Sequence, residues 1–284
     1  MELIRKKVIK FLLLSFFTGF LVIGADKKAV AQTPKFSNEF LSIGVGARAL
    51  GMSNAYIGSV KGTAAGYWNP SNLPELESDM QLAAMHAEYF AGIAKYDYFS
   101  FAKPLDSVSS LGVSLIRFGV DNIPNTTQLI DAEGNINYNR VTSFSAADYA
   151  AIFSYGRDLG IKGLSLGGNF KVIHRTVGDF ASAWGFGLDA SAKYKMDNWN
   201  FAAVARDVTS TYNAWNFSLD EDTKEVFRLT GNEIPENSLE ITLPRLILGA
   251  SRTFNFGKKF SLLTEIDLNI TTDGKRNVLI TGDP

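Results

Sequence analysis

Beyond Met80 the chain repeats one pattern. Runs of about ten residues alternate apolar and polar positions, and turn-forming residues separate them. The runs lie near 80–90, 95–104, 110–120, 147–157, 163–174, 184–196, 199–208, 243–254, 259–270 and 276–282. Three show the alternation most plainly. Leu164, Leu166, Phe170 and Val172 oppose Ser165, Gly167, Asn169 and Lys171. Trp184, Phe186, Leu188, Ala190 and Tyr194 oppose Gly185, Gly187, Asp189, Ser191 and Lys193. Leu262, Thr264, Ile266, Leu268 and Ile270 oppose Leu263, Glu265, Asp267 and Asn269. A period of two means strand, and length says which kind. Strands in soluble proteins commonly run to about 5–6 residues. Strands that cross a bilayer need about 9–11, the figure these runs match. An oily face opposite a small, polar or charged one suits lipid on one side and a wet or filled lumen on the other. The competing reading is a large soluble β-protein that packs the same apolar face inward.

The connections point the same way. Tight turns are expected at Arg157-Asp158-Leu159-Gly160, Asp197-Asn198-Trp199-Asn200 and Phe256-Gly257-Lys258, and long polar loops at 121–146 and 209–242. Outer-membrane barrels keep short turns on one side and longer loops on the other. Tyr96, Tyr98, Tyr155, Tyr194 and Trp199 stand near strand ends, where aromatic girdles form, or where ordinary sheet packing would also use them.

Before Met80 the texture differs. Residues 32–43 begin polar and turn apolar, and 44–79 are rich in Gly and Ala with poor periodicity of either kind. Short helical turns are expected at 47–52 and 62–67, ended by Asn69-Pro70 and Leu73-Pro74. Ahead of this lies a basic cluster (Arg5, Lys6, Lys7, Lys10), an apolar run over 11–25 and Ala29-Val30-Ala31. That order is the order of a secretory signal peptide. The apolar run falls short of the roughly 20 residues that a spanning helix needs. The expected organisation is a leader at 1–31, an N-terminal plug or hatch at 32–79, and barrel strands over 80–284.

Charge and composition add exclusions. Without a leader that holds six Lys/Arg and two acids, 22 basic and 27 acidic residues remain, a net charge of about −5. No basic stripe marks a nucleic-acid partner. The chain has no Cys, so there is no lipoprotein anchor, disulfide or thiolate metal site. Gly44-Val45-Gly46 lacks the strand, helix and Lys-Ser/Thr of a phosphate loop. His86 and His174 stand in different runs with no metal-ligand spacing, and Asp220-Glu221-Asp222 with Glu225 reads as a solvated acidic loop. No cofactor, metal site or catalytic set is expected.

Gly46-Ala47-Arg48-Ala49-Leu50-Gly51-Met52, followed by Ala65-Gly66-Tyr67-Trp68-Asn69-Pro70, resembles the N-terminal signature of the PorV/PorQ family, within the wider group of FadL-like barrels. Ser53 stands where the family usually has Gly, Ser71 where it has Ala, and Lys61-Gly62-Thr63 where relatives are often acidic. The resemblance implies an all-β, FadL-like antiparallel barrel of the outer membrane with 14 strands and an inward-folded hatch. It makes Gly46, Ala47, Arg48, Gly51, Met52, Tyr67, Trp68, Asn69 and Pro70 the hatch motif. For the PorV branch it implies a non-enzymatic part in type IX secretion in Bacteroidota. There the barrel binds C-terminal signal domains of cargo and hands them to the secretion machinery. The alternative, from the FadL branch, is passage of hydrophobic small molecules.

Two expectations follow from a filled lumen. Gly and Ala in the hatch permit close backbone approach. Arg48, the one charged residue between Glu39 and Lys61, needs a carboxylate if buried, for which Asp189, Glu265 and Asp267 are candidates; otherwise it lies on an exposed turn. The strand count sets a third. About ten strands, against 14 implied by the resemblance, would leave open edges that lipid does not tolerate. Either the chain is C-terminally truncated at Pro284, the preferred reading, or strands hide within 121–146 and 209–242.

Overall fold

The structure, a computed structural model, describes residues 37–130, 135–257 and 259–272. The leader at 1–31 and the run at 276–282 lie outside them. The period-two segments become one antiparallel sheet of eleven strands: β1 (Gln81–Tyr89), β2 (Ala94–Pro104), β3 (Ser109–Asn125), β4 (Thr142–Asp158), β5 (Leu164–Val177), β6 (Ala181–Met196), β7 (Trp199–Arg206), β8 (Thr211–Phe217), β9 (Ser238–Thr242), β10 (Arg245–Phe256) and β11 (Phe260–Thr271).

The eleven strands make nine rows. The second half of β6 pairs with β7 and its first half with β8. Strands β7 and β8 therefore lie along one side of β6, interrupted at 207–210, where Asp207 and Ser210 take positive φ. On the next row β9 pairs with β8 and β10 with β7, and the break falls at Leu243-Pro244, where Pro has no N–H to donate. The rows follow chain order from β1 to β11, and among the described residues those two strands are not paired with each other and the sheet is not closed.

Apart from 207–210 and 243–244, which join the two strands of one row, the connections between described strands join neighbouring rows, so turns sort onto two rims. One rim carries 105–108, 159–163, 197–198 and 257–259, all short. The other carries 90–93 and 178–180 with the long 126–141 and 218–237. The loop expected at 209–242 is instead mostly ordered as β8, β9 and a helix, and strands β3 and β4 extend into 121–146. A register shift between Val120 and Ile123, with Asn122 at positive φ, carries β3 onward.

Ahead of the sheet, segment 37–76 folds into short pieces: helix α1 (Ala47–Gly51), a turn at Gly62–Ala64, helix α2 (Ala65–Trp68) and a 3-10 turn at Pro70–Glu75. Asn69 ends α2 as expected, whereas Pro74 sits inside the 3-10 turn rather than stopping it. The buried cluster lies between this segment and one face of the sheet. Phe40, Val45, Ile57, Val60, Trp68 and Leu73 meet Tyr96, Ile116, Ile152, Ile173, Val204 and Ile247. Burying each such side chain contributes about 1.5–3 kcal/mol.

The opposite face is oily and uncovered. Phe99, Leu115, Phe153, Phe170, Trp184, Phe186, Leu188 and Ile266 all stand exposed, Trp184 by 54% and Ile266 by 78%. Tyr155 and Tyr194 join them, but Tyr96 and Tyr98 do not. They share a side of β2 with Ala94, Ser100 and Ala102 and are buried under the segment, so of the two places considered for them they take ordinary packing and not an exposed girdle.

Candidate functional site

The Tyr67-Trp68-Asn69-Pro70 block is a clasp for the chain that precedes it. The Tyr67 hydroxyl donates to the Leu41 carbonyl at 2.6 Å, and the Trp68 Nε1 donates to the Val45 carbonyl at 2.9 Å. The Asn69 Nδ2 donates to the Ile57 carbonyl at 2.8 Å, and the Asn72 Nδ2 to the Val60 carbonyl at 3.0 Å. Four side chains thus satisfy four carbonyls along 41–60 that no regular element would satisfy. Asn69 reaches its position because it leaves the helix with φ −158° and ψ 97°. Its Oδ1 then accepts from the Ser71 N–H and hydroxyl, which caps the 3-10 turn that Pro70 opens.

The sheet receives this clasp on small residues. Ser110, Gly156, Gly167 and Ser191 lie in register across β3 to β6, and Gly112, Ser154, Asn169 and Asp189 form the next row. The Ser71 N–H donates to the Ser191 Oγ at 3.0 Å, the Ser154 hydroxyl to the Gly66 carbonyl at 3.1 Å, and the Ser100 hydroxyl to the Thr63 Oγ1 at 2.7 Å. A Cβ on Gly156 would stand 2.2 Å from the Pro70 carbonyl oxygen, and one on Gly167 2.3 Å from the Ser71 nitrogen. Only glycine permits that approach.

Charged side chains point inward from the same face. The Arg206 guanidinium lies 4.9 Å from the Tyr67 ring centroid and 5.8 Å from that of Trp68, and it donates to the Leu41 and Tyr67 carbonyls at 3.3 Å each. Lys171 stands between Asp189 (2.7 Å) and Asp207 (2.5 Å), and Asp207 also accepts from the Thr211 hydroxyl at 2.5 Å. Lys193 pairs with Glu75 of the segment at 2.6 Å. Buried charges persist only when paired and hydrogen-bonded, and these are.

The segment also joins the two edges of the sheet. The Gly46 N–H points to Met85 Sδ of β1 at 3.2 Å. On β11 the Asp267 Oδ2 accepts from the Tyr56 and Ile57 N–H groups at 2.8 and 3.2 Å. The Glu265 Oε1 accepts from the Gly58 N–H at 2.6 Å, and its other oxygen from the Ser59 hydroxyl. The first and last described strands of the sheet thus hold one short segment on the same face.

The nine motif residues divide into two groups. Tyr67, Trp68, Asn69 and Pro70 are buried in the clasp. Gly46, at φ 88°, opens α1, on which Ala47, Arg48 and Gly51 are exposed; Met52 follows it, half-buried. Arg48 therefore takes the exposed alternative. The carboxylates considered for it are held elsewhere, Asp189 by Lys171 and the Asp207 N–H, and Glu265 and Asp267 by the loop amides. Sequence reasoning missed Arg206, Asp207 and Asn72, whose roles depend on contacts far along the chain; Lys171 already stands on the polar side of the alternating run at 163–174. His86 pairs with Asp97 at 2.6 Å and His174 stacks on Trp184 at 4.2 Å, both on the outward side of the sheet.

No protein-family model matches this chain, and no curated protein sequence matches it.

Proposed function

We propose that the chain is an outer-membrane β-barrel protein whose segment 37–76 plugs the lumen, and that it acts without catalysis in protein export in the manner of the PorV/PorQ family. One observation carries the membrane reading: the sheet is inside out. Its exposed face is mainly aromatic and aliphatic, with the charged row His86, Asp97 and Arg117 near the long-loop rim, and its covered face carries Lys171, Asp189, Lys193, Arg206, Glu265 and Asp267. Soluble proteins rarely expose apolar patches beyond a few hundred Å², whereas a barrel in lipid has this polarity. The dimensions agree. On β6 the outward residues run from Trp184 to Tyr194, roughly 33 Å along the strand and about 25 Å of height at the usual tilt. An aromatic residue stands at each end, as girdles require. Short turns on one rim and long loops on the other suit the periplasmic and outer sides.

The export role rests on the motif resemblance. It predicts that loops 126–141 and 218–237 bear the protein contacts, with cargo C-terminal signal domains and type IX machinery as partners. Crosslinking from those loops in intact envelopes, followed by mass spectrometry, tests it: machinery or cargo should be captured, and capture of neither would refute the role. Membranes washed in carbonate test the barrel independently, since a barrel stays in the pellet and a soluble sheet leaves it. The FadL-like alternative needs an apolar route past the segment. The buried ion pairs of Lys171 with Asp189 and Asp207 and the Arg206 contacts to the clasp make the covered face polar there, which weighs against it.

A further inference from the structure

At the long-loop rim the inner face holds a cleft of about 620 Å³ that segment 37–76 does not line. Its walls include Phe144, Phe180, Trp215, Phe217 and Phe227, the last from helix α3 (Glu221–Leu229) in the β8–β9 connection. Phe144 and Phe180 meet edge to face at 5.1 Å, and Trp215 and Phe217 stack at 6.1 Å. Among the described residues that line it, Glu240 is the one charged side chain. Its Oε2 accepts from the Trp215 Nε1 and from Arg175 Nη1, both at 2.9 Å. Arg175 also pairs with Asp148 at 2.6 Å and lies 5.1 Å from the Trp215 ring. One guanidinium thus serves two carboxylates, which leaves this cluster of three side chains with a net negative charge.

The surroundings have the same sign. Between Ser218 and Glu240 the chain has seven acids (Asp220, Glu221, Asp222, Glu225, Glu233, Glu236, Glu240) and two cations (Lys224, Arg228), a net of −5. Both cations are engaged on the helix itself, Lys224 with Glu221 and Arg228 with Glu225. Hydrogen bonds from Thr223 hold the Asp220 carboxyl below the usual range, and a hydrogen bond from Lys224 does the same for Glu221. Both are ionised at neutral pH.

We propose that this cleft binds small amphiphilic cations, with an aromatic or alkyl body among the rings and an ammonium group near Glu240. A volume of this size is usual for a small-molecule pocket. Ring faces attract cations through their quadrupole, and the acidic rim raises the local concentration of cations while repelling anions of the same shape. The site goes beyond an export role and does not depend on it.

The test uses the purified full chain in lipid nanodiscs, or in buffer if washed membranes release it. The probes are 4-phenylbutyltrimethylammonium and its anionic counterpart 5-phenylpentanoate, titrated calorimetrically, with empty nanodiscs subtracted. The cation should bind saturably and at least about tenfold tighter than the anion, and Glu240→Gln should weaken it about tenfold. Phe227→Ser, on an exposed helix away from the sheet pairing, should weaken it too while the circular dichroism spectrum stays unchanged. Equal binding of both probes, or cation binding unchanged in both variants, overturns the proposal. The outcome is separable from the membrane question, which the carbonate wash answers alone.

Discussion

Gly156 of β4 pairs directly with Gly167 of β5, and the Pro70-Ser71 peptide rests on the bare patch they leave. Two residues without side chains are what bring the clasp to the sheet. Gly167→Val should force the turn off the sheet and cost about 1–3 kcal/mol or more, as overpacking does. Gly51, a motif glycine in α1, has open space where its Cβ would go, and Gly51→Ala should be neutral or slightly stabilising. Thermal unfolding of the two variants, followed by circular dichroism, makes the comparison. An unchanged Gly167→Val would show that the segment does not seat there.

Arg206 fixes the clasp to β7 through two carbonyls and two aromatic rings. Arg206→Ala leaves Tyr67 and Trp68 without their cation and unbalances the nearby Asp189 and Asp207, so a loss of about 3–5 kcal/mol is expected. Arg206→Lys keeps the charge but not the fork or the flat stacking surface, and should recover less than half of the loss. Full recovery with Lys would mean that charge alone matters.

Asp267 and Glu265 hold successive amides of residues 56–58. Hydrogen bonds to a charged acceptor are worth about 1.5–3 kcal/mol each, so Asp267→Asn should loosen that loop selectively. Hydrogen exchange of the Tyr56 and Ile57 amides should rise by one to two orders of magnitude while β3–β5 amides remain protected. Uniform acceleration across the sheet would contradict a local role.

The outward face gives the sharpest contrast between a membrane and a soluble sheet. Phe153 is 47% exposed at the centre of its strand. In lipid, Phe153→Arg should cost about 2–4 kcal/mol and impair insertion into liposomes; in water the same change would be nearly neutral. Ser107→Arg, in a short rim turn, should be harmless in either case. Liposome folding yields for the two variants decide the matter.

Helix α3 should be acid-sensitive. Asp220 caps it by accepting from the Thr223 N–H at 2.7 Å, and its folded pKa lies below the free value of 3.8. A lowered folded pKa means that the cap's contribution is complete above the free value and is lost as pH falls from there through the folded one. An acid-active protease should therefore cut within 221–229 faster at pH 2.5 than at pH 5. Measured against an unstructured reference peptide, which carries the protease's own pH dependence, Asp220→Asn should reduce that difference, and the part that remains belongs to Glu221, held low by Lys224.

Parity was readable wherever one face was uniformly oily: Phe170 against Lys171, Leu188 against Asp189, Ile266 against Asp267. It failed on β2, where Tyr96 and Tyr98 on one side and Phe99 and Phe101 on the other are all aromatic, so pattern cannot say which face is covered. Strands β8 and β9 were missed because each is the short half of a broken row, recognisable only through β6. Helix α3 was hidden by its acids, although Asp220 as cap and the pairs Glu221–Lys224 and Glu225–Arg228 at three-residue spacing are helix signals. Within the motif, sequence marked Tyr67 to Pro70 as a turn and an end. That their side chains reach back to Leu41, Val45 and Ile57 depends on the whole segment doubling over, which no local rule contains.

The amide of Gly58 is held by a carboxylate 207 residues further on. It leaves the ribosome long before its anchor exists, and every strand from β1 to β10 is made in between. Contacts so distant in sequence make folding slow. The segment is thus synthesised well ahead of the strand that fastens it, and until then its hydrophobic surface stays open to whatever escorts or degrades unfinished chains.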